Sequence, residues 1–369
     1  MAFIRDVESN SVSLRLRKPY MDADITSHTV LTDDVFSYVD FFFKTHKKVI
    51  KKKTGERVKQ NHTFYWEQAR QFYCASKMLS IESAPLPMYY CMLNAAKAYL
   101  FYYADDYDEI EEDFGNHGLN EDKTKSKDVQ TLDLANIFIA RKSKGVFPKF
   151  GKAVNSNFDS LWKIKATGAK SIKELLFQIP YVHSTYSSTY KIPRKNEAFI
   201  PLAANQSPRF MYNKSNKIKL VVNLDQHYFK QSATAIPDDI LSAVPSQLMV
   251  NDEMPFQLVS KEFLRKKELK SVYNDLRRCF SYISADRRIW YLRKTSEDMF
   301  SEICPMIIEL AIVHRFSEIV RYKPEQMAEL MHTKENWLIH EFLSLVLDQF
   351  MDEIACEITK QEIMPTRVK

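Results

Sequence analysis

The sequence predicts a mainly α protein, built from helical domains with a small inserted antiparallel β-sheet. Only six of the 369 residues are glycine, which leaves few positions for the positive-φ turns of a β meander. Apolar residues recur with a period near 3.6 in residues 307–320 and 337–358. Short β-branched and aromatic stretches are confined to the middle of the chain.

The first half of the chain supplies several of the predicted helices. Residues 35–46 are apolar and fit either a helix or a strand. Helical spacing is predicted for residues 64–79, 88–103, 131–140 and 171–178. Pro85 and Pro87 introduce the second of these helices. Ser171 with Glu174 predicts a capping box at the start of the last.

The middle of the chain changes character. Residues 199–203, 209–212 and 218–224 have the composition of strands, and residues 213–216 fit a hairpin turn. From residue 262 to the end the pattern is again helical. We therefore divide the chain into an N-terminal extension with a basic end (1–58), a helical region (59–180), a β-containing insertion (181–260) and a C-terminal helical region (261–369).

The five cysteines predict a reducing compartment. Their number is odd and none has C-x-x-C spacing, so the sequence suggests neither a disulfide framework nor a zinc ribbon. No signal peptide and no apolar run of about 18 residues is present, so we expect a cytoplasmic protein without a membrane partner. No glycine-rich phosphate loop occurs, and we expect no cofactor.

Charge is segregated along the chain. Residues 261–294 contain eleven basic and four acidic residues, an excess close to the net charge of +6 of the whole chain. Lys266, Arg277 and Arg288 are eleven residues apart, so one continuous helix would align them as a basic stripe with interleaved aromatics. The stripe fits nucleic acid or an acidic protein partner. The alternative, which we favour, is a solvated helix face whose aromatics point to the core, and the acidic run at residues 105–113 could itself be the partner of the stripe.

Several polar residues are candidates for a site. His117 lies between Gly115 and Gly118 and is either a general base or a residue that fixes the turn. His332, Glu335, Asn336 and His340 are close in sequence but lack H-E-x-x-H spacing, so we predict no metal site.

Asn94 and Lys97 interrupt an apolar helix. They form either a polar site or a structural pair in which Asn94 binds backbone and Lys97 extends to the surface. Arg321 and Tyr322, just before Pro324, pose a similar choice, because an arginine at a helix end can clamp a carboxylate or carbonyls.

Three of these segments together resemble the YaaC-like family, which is found mostly in bacteria. They are Pro87-Met-Tyr-Tyr-Cys-Met-Leu-Asn94-Ala-Ala-Lys97-Ala, Asn116-His117-Gly118-Leu119, and Phe316-Ser-Glu-Ile-Val-Arg321-Tyr322-Lys-Pro324. The likeness spans roughly residues 60–350, with Phe316 where the family has leucine. The first 55 residues look like an addition to the sequence that the family shares.

The early helices of that family are similar to those of the HEPN superfamily, which includes RNases of toxin and antiphage systems. Those RNases use an arginine, four to six intervening residues and a histidine, and we expect this copy to lack that active site.

We therefore expect a non-catalytic binding or regulatory module, a nucleic-acid- or partner-binding component of a bacterial antiphage defence or stress system. The binding residues would be Asn94, Lys97, Arg321, Tyr322, Lys266, Arg277 and Arg288. The alternatives are a metal-independent, HEPN-like nuclease or toxin that uses His117 with Lys97 or Arg321, and a structural subunit of a larger assembly. The sequence leaves homo- or hetero-oligomer formation open.

Overall fold

The fold is mixed α/β, so the prediction of a mainly α protein with one small sheet is wrong. Helices hold 47% of the residues and strands 18%. The computed structural model describes residues 2–48, 61–104, 114–122, 133–164, 168–204, 206–284, 289–295 and 300–366. The acidic run at 105–113, most of the basic run at 47–53, and Arg288 lie outside them.

Twelve α-helices are found in the described residues. They are α1 (Val35–Thr45), α2 (His62–Lys77), α3 (Pro85–Tyr103), α4 (Val146–Val154), α5 (Phe158–Leu161), α6 (Ile172–Leu176), α7 (His183–Tyr190), α8 (Asp238–Leu241), α9 (Leu269–Arg277), α10 (Pro305–Tyr322), α11 (Pro324–Leu330) and α12 (Asn336–Thr359). The expected helices at 64–79, 88–103, 307–320 and 337–358 are confirmed, and residues 35–45 are helical. Ser171 and Glu174 form the predicted capping box.

Fifteen strands form five sheets within the same residues. They are β1 (Phe3–Asp6), β2 (Glu8–Ser9), β3 (Val12–Ser13), β4 (Val30–Leu31), β5 (Leu119–Glu121), β6 (Phe138–Arg141), β7 (Lys170–Ser171), β8 (Phe199–Pro201), β9 (Arg209–Asn213), β10 (Ile218–Asn223), β11 (Leu248–Asn251), β12 (Met254–Ser260), β13 (Phe280–Ile283), β14 (Ile289–Arg293) and β15 (Ile363–Met364). The largest sheet has the order β1-β9-β10-β12-β11.

Contacts divide the chain into two units whose segments are not consecutive. The first unit contains residues 1–33, 192–302 and 360–369, and the second contains residues 34–191 and 303–359. The divisions suggested at 58, 180 and 260 treat the chain as successive segments. In the structure, strand pairing joins segments from opposite ends of the sequence, for example where β15 runs parallel to β4.

The first unit is built around the five-stranded sheet. The predicted strands at β8, β9 and β10 are confirmed, and Asn213 and Asn216 form the predicted hairpin turn between β9 and β10, with Asn216 at φ 60°. Alternate residues of β10, such as Leu220 and Val222, enter a core shared with Phe210 and Leu258.

The second unit is a helical assembly around α3. Helix α2 begins after Asn61, whose side chain accepts from the Phe64 amide, and runs antiparallel to α3. Pro85 stands in the first turn of α3, where its missing N–H costs nothing. Helices α10 and α12 also pack on α3. The helix expected at 131–140 is wrong, because Phe138–Arg141 is the central strand of the sheet β5-β6-β7.

Two buried carboxyl groups interact electrostatically in the helical core. Glu309 on α10 is fully buried, and Glu353 on α12 is 5% exposed. Burial, and then the charge of Glu353, raise the pKa of Glu309 well above its ordinary value, whereas the Tyr181 hydroxyl lowers it. Gln349 donates to Glu353. Glu309 therefore retains its proton in the folded state at a pH where an unfolded chain would release it.

Glu309→Gln should flatten the pH dependence of stability. Because the unfolded carboxyl ionises above pH ~4.5 while the folded one stays protonated, wild-type stability should fall as pH rises, by about 1.4 kcal/mol per unit over that window. Glutamine carries no titrating proton, so the variant should gain stability relative to wild type towards pH 8. Urea unfolding at pH 4–9 measures this. The exposed Glu325→Gln is the control, and parallel curves for wild type and Glu309→Gln would refute the raised pKa.

Candidate functional site

The turn that carries His117 is held by two glycines in close contact. Gly118 has φ 86° and Gly145 has φ 122°, conformations that L side chains rarely adopt. A Cβ on Gly145 would lie 2.6 Å from the Gly118 nitrogen and 2.9 Å from the Asn116 oxygen. The contact therefore joins two stretches of backbone and leaves no room for a side chain.

Backbone hydrogen bonds attach this turn to the start of α4. The amide of Val146 donates to the Asn116 carbonyl at 3.0 Å, and that of Phe147 donates to the His117 carbonyl at 3.0 Å. The Lys142 amide donates to the Gly118 carbonyl at 2.9 Å. The bonds from Val146 and Phe147 use amide groups that a helix N-terminus leaves without intrahelical partners, so the turn is fixed by the fold.

His117 lies next to a tyrosine and a second histidine. The Tyr89 hydroxyl and His117 Nδ1 are 2.7 Å apart and share a hydrogen bond. The His314 ring centre is 4.9 Å from that of Tyr89 and 5.9 Å from that of His117. His117 is exposed, whereas His314 is 4% exposed. The exposed His117 ring is therefore accessible to a ligand, and the buried His314 ring lies beside it on the protein side.

The charges of three cationic side chains act on His117. Burial of part of the ring, followed by the charges of Lys97, Lys142 and Arg321, lowers the pKa of His117. Burial, followed by His117, Arg315 and Lys142, lowers the pKa of His314 to about 3. Both rings are therefore neutral at pH 7 in a positive environment.

Acidic groups at the edge of this cluster are bound to a buried arginine. Arg315 is 5% exposed and donates to Glu121 at 2.6 Å and to Glu318 at 3.1 Å. Lys323 lies 3.8 Å from the same Glu121 carboxylate. In the described part of the chain, neither carboxylate is paired with Lys97, Lys142 or Arg321.

We call this arrangement the His117 site. It consists of Tyr89, Lys97, His117, Glu121, Lys142, His314, Arg315, Glu318, Arg321 and Lys323. The sequence analysis identified Lys97, His117 and Arg321, and the fold brings these three together. The sequence analysis did not identify the remaining residues of the site. His314 and Arg321 are seven residues apart and share one face of their helix, so the position of Arg321 could have pointed to His314. The pairing of Tyr89 with His117 is a tertiary contact, which local sequence does not show.

Asn94 and Tyr322 lie at the borders of the site. Asn94 Nδ2 donates to the Tyr90 carbonyl at 2.7 Å, a backbone bond within its own helix. Lys97 Nζ lies 5.4 Å from the Tyr65 ring centre and 5.3 Å from that of Phe114, and burial lowers its pKa. Tyr322 is 66% exposed, with the Arg321 guanidinium 5.0 Å from its ring centre.

The basic stripe predicted in residues 261–294 does not form. A 3-10 turn at Lys266–Glu268 leads directly into α9, but α9 ends at Arg277 and the chain turns into β13, so the helix does not continue through the predicted stretch. Arg277 is 1% exposed and is therefore a core residue rather than a ligand contact. Lys266 is exposed and donates to the Glu8 carbonyl at 2.6 Å. Arg288 is outside the described residues.

The histidines near α12 are not part of the site. His332 and His340 are exposed and Glu335 is buried, while the His340 ring stacks on Trp337 with ring centres 5.5 Å apart. The described residues contain no group of three or more His, Cys, Asp or Glu residues arranged to hold a metal ion.

One histidine does have the spacing of the HEPN RNases, contrary to our expectation. Arg57 precedes His62 with four residues between them. Arg57 lies outside the described residues. His62 is 5% exposed, with ring centres 4.5 Å from Phe43 and 5.3 Å from Tyr102, and burial lowers its pKa to about 4. Its ring is thus enclosed among aromatics rather than open to a substrate.

Comparison with known proteins identifies a family that covers most of the chain. The family described as YaaC-like Protein matches residues 34–358, which is wider than the 60–350 expected, so only residues 1–33 precede it rather than the first 55. The further likeness to the HEPN superfamily is not confirmed. No curated protein and no solved structure matches the chain. Within the described residues, no helix is long and apolar enough to cross a membrane.

Proposed function

The chain belongs to the YaaC-like family, and from this premise we propose that it is a binding module that takes a phosphate-bearing ligand, foremost nucleic acid, at the His117 site. The observation that carries the proposal is a set of three cations, Lys97, Lys142 and Arg321, whose charges all act on the exposed His117. Among the described residues none of the three forms an ion pair with a carboxylate, although the pKa of Glu318, which burial raises, is lowered in part by the charge of Lys142.

Such an arrangement favours an anion for a physical reason. Like charges held close together repel one another, and a bound phosphate relieves that repulsion while it releases counterions from the nucleic acid. Neutral His117 adds a ring nitrogen that can donate without the cost of a further positive charge. Arg315 pairs with Glu121 and Glu318 and so offsets part of their negative charge at the edge of the site.

The charge-reversed double variant Lys142→Glu, Arg321→Glu should bind a short labelled oligonucleotide at least about tenfold more weakly than wild type. The slope of log affinity against log salt should also fall by about two, since two phosphate contacts are lost. Fluorescence anisotropy across a salt series measures both. Both side chains are exposed, so folding should be unaffected.

The control is Lys214→Glu, an exposed lysine in the turn between β9 and β10. It changes the net charge by as much per substitution without touching the His117 site. If Lys214→Glu loses half as much binding free energy as the double variant, the loss per charge is the same at both places. Binding would then depend on net charge alone, and the proposal would fail.

A nuclease is the second candidate, and the 2.7 Å contact of Tyr89 with His117 favours it. If His117 Nδ1 carries the proton and donates to Tyr89, Nε2 is free to accept a proton from a ribose 2′-hydroxyl. Lys97 or Arg321 would then stabilise the charge on the phosphorus centre. Cleavage of labelled RNA that disappears in His117→Ala would replace the binding module by this enzyme.

The roles in antiphage defence or stress and as a structural subunit stay predictions, as do an acidic protein partner and the oligomeric state.

A further inference from the structure

We propose that the face formed by α2 and α3 beside the His117 site stacks nucleobases, so that the ligand is single-stranded nucleic acid. This inference rests on the proposed function, because it assigns the bases of a ligand whose phosphates the His117 site would hold. We call this surface the aromatic face, and it consists of Phe64, Tyr65, Phe72, Tyr90, Asn94, Lys97 and Phe114.

Helical spacing places these side chains in two facing rows. Tyr65 and Phe72 are seven residues apart on α2, and Tyr90 and Lys97 are seven apart on α3, so each pair lies on one side of its helix. The Phe72 and Tyr90 rings are stacked with centres 5.3 Å apart. All four side chains are half-buried, so the two rows meet at the surface rather than in the core.

Exposed aromatic surface beside the half-buried rows comes from Phe64. Phe64 is 42% exposed and packs edge-on against Tyr65, with ring centres 5.3 Å apart. Phe114 packs edge-on against Tyr65 at 5.5 Å. Partly exposed rings that are held by their neighbours lose little entropy when a base stacks on them.

The aromatic face meets the His117 site at two points. Lys97 belongs to both, since its Nζ lies over the Tyr65 and Phe114 rings while its charge acts on His117. The Tyr90 ring centre is 5.8 Å from that of Tyr89, whose hydroxyl contacts His117. A strand with its phosphate at His117 could therefore lay its bases on either row.

An aromatic face beside the His117 site should bind single strands more tightly than duplexes. Bases of a single strand are free to stack on aromatic side chains, which contributes to binding with little sequence preference, whereas a duplex hides its base faces. Asn94 adds a side-chain oxygen in the row, which can accept from a base edge while its Nδ2 donates to Tyr90. An apolar protein segment could also cover such a face, and the test separates the two.

The experiment compares three labelled probes of equal length on the full chain: a single-stranded oligonucleotide, the same backbone with abasic sites throughout, and a duplex. We expect the single strand to bind at least about tenfold more tightly than the abasic strand, because base stacking contributes several-fold to tenfold or more per base. The double variant Phe64→Ala, Phe72→Ala should lose that advantage and bind both strands alike.

The matched control is Phe41→Ala, which removes a 59% exposed phenylalanine from α1 of the same unit. It should leave all three affinities unchanged. If wild type binds the abasic strand or the duplex as tightly as the single strand, the stacking inference is overturned while the phosphate site stands. If no probe binds, or if Lys142→Glu, Arg321→Glu changes no affinity, the proposed function fails as well. The wild-type probe comparison decides the matter even if an alanine variant does not fold.

Discussion

Arg277→Met should destabilise the first unit by about 3–5 kcal/mol, because it removes a buried guanidinium that holds together separate parts of the chain. Arg277 Nε and Nη2 donate to the carbonyls of Arg17 and Lys18 at 2.8 Å, and Nη1 donates to that of Phe280 at 2.7 Å. Loss of the donors would leave these carbonyls buried without those partners.

Ring contacts add to the effect. The guanidinium lies 4.1 Å from the ring centre of Tyr20 and 4.9 Å from that of Trp290, so it is stacked as well as hydrogen-bonded. Methionine approximates the side-chain length but supplies no donor. Arg277→Lys keeps the charge but loses the planar fork, so it should also be clearly destabilised.

Arg278→Met is the matched control for this prediction. Its side chain is 16% exposed and pairs with the largely exposed Asp275, a contact that contributes at most about 1 kcal/mol. Urea unfolding followed by circular dichroism compares the variants. A loss at Arg277 no larger than at Arg278 would mean that the carbonyls find other donors, and the clamp would not be required.

The same residue illustrates what sequence patterns can and cannot predict. The eleven-residue spacing of Lys266, Arg277 and Arg288 is real, but spacing predicts a shared face only if one helix continues through it. The chain instead enters β13 after Arg277. A basic residue buried against carbonyls has the same local sequence as one on a surface, because its acceptors at residues 17 and 18 are distant in the chain.

Strands were underestimated for a related reason. The β9–β10 hairpin was predictable since its turn and its alternation are local. The strand β6, by contrast, was mistaken for a helix, and its pairing partners β5 and β7 come from stretches whose composition gives no strand signal. Pairs such as β15 with β4 join opposite ends of the sequence, which no window of residues can detect.

The candidate site was partly predictable. Lys97 and His117 stood out because a polar residue in an apolar helix and a histidine between glycines are unusual locally. His314 and Arg315 did not stand out, because a histidine and an arginine within a long helix are ordinary until the fold buries them to about 5% exposure beside Tyr89 and Glu121.

Gly145→Ala should destabilise the second unit by about 2–4 kcal/mol and move His117 out of place. The strain of a non-glycine residue at φ 122° accounts for about 1–3 kcal/mol of this, and the rest comes from overpacking. The new Cβ would lie 2.6 Å from the Gly118 nitrogen and 2.7 Å from the Gly118 Cα. Both are backbone atoms, so the turn cannot relax by rotating a side chain.

Gly115→Ala is the control, because a Cβ there meets nothing within 4 Å. It should unfold at about the same temperature as wild type. Thermal unfolding followed by circular dichroism measures both variants, and oligonucleotide anisotropy below the transition measures the site. If Gly145→Ala stays folded at low temperature, displacement of the turn should weaken binding, since the amides of Val146 and Phe147 would lose their bonds to Asn116 and His117. Unchanged stability and affinity in Gly145→Ala would mean that the turn tolerates a second conformation and that the glycine contact does not position His117.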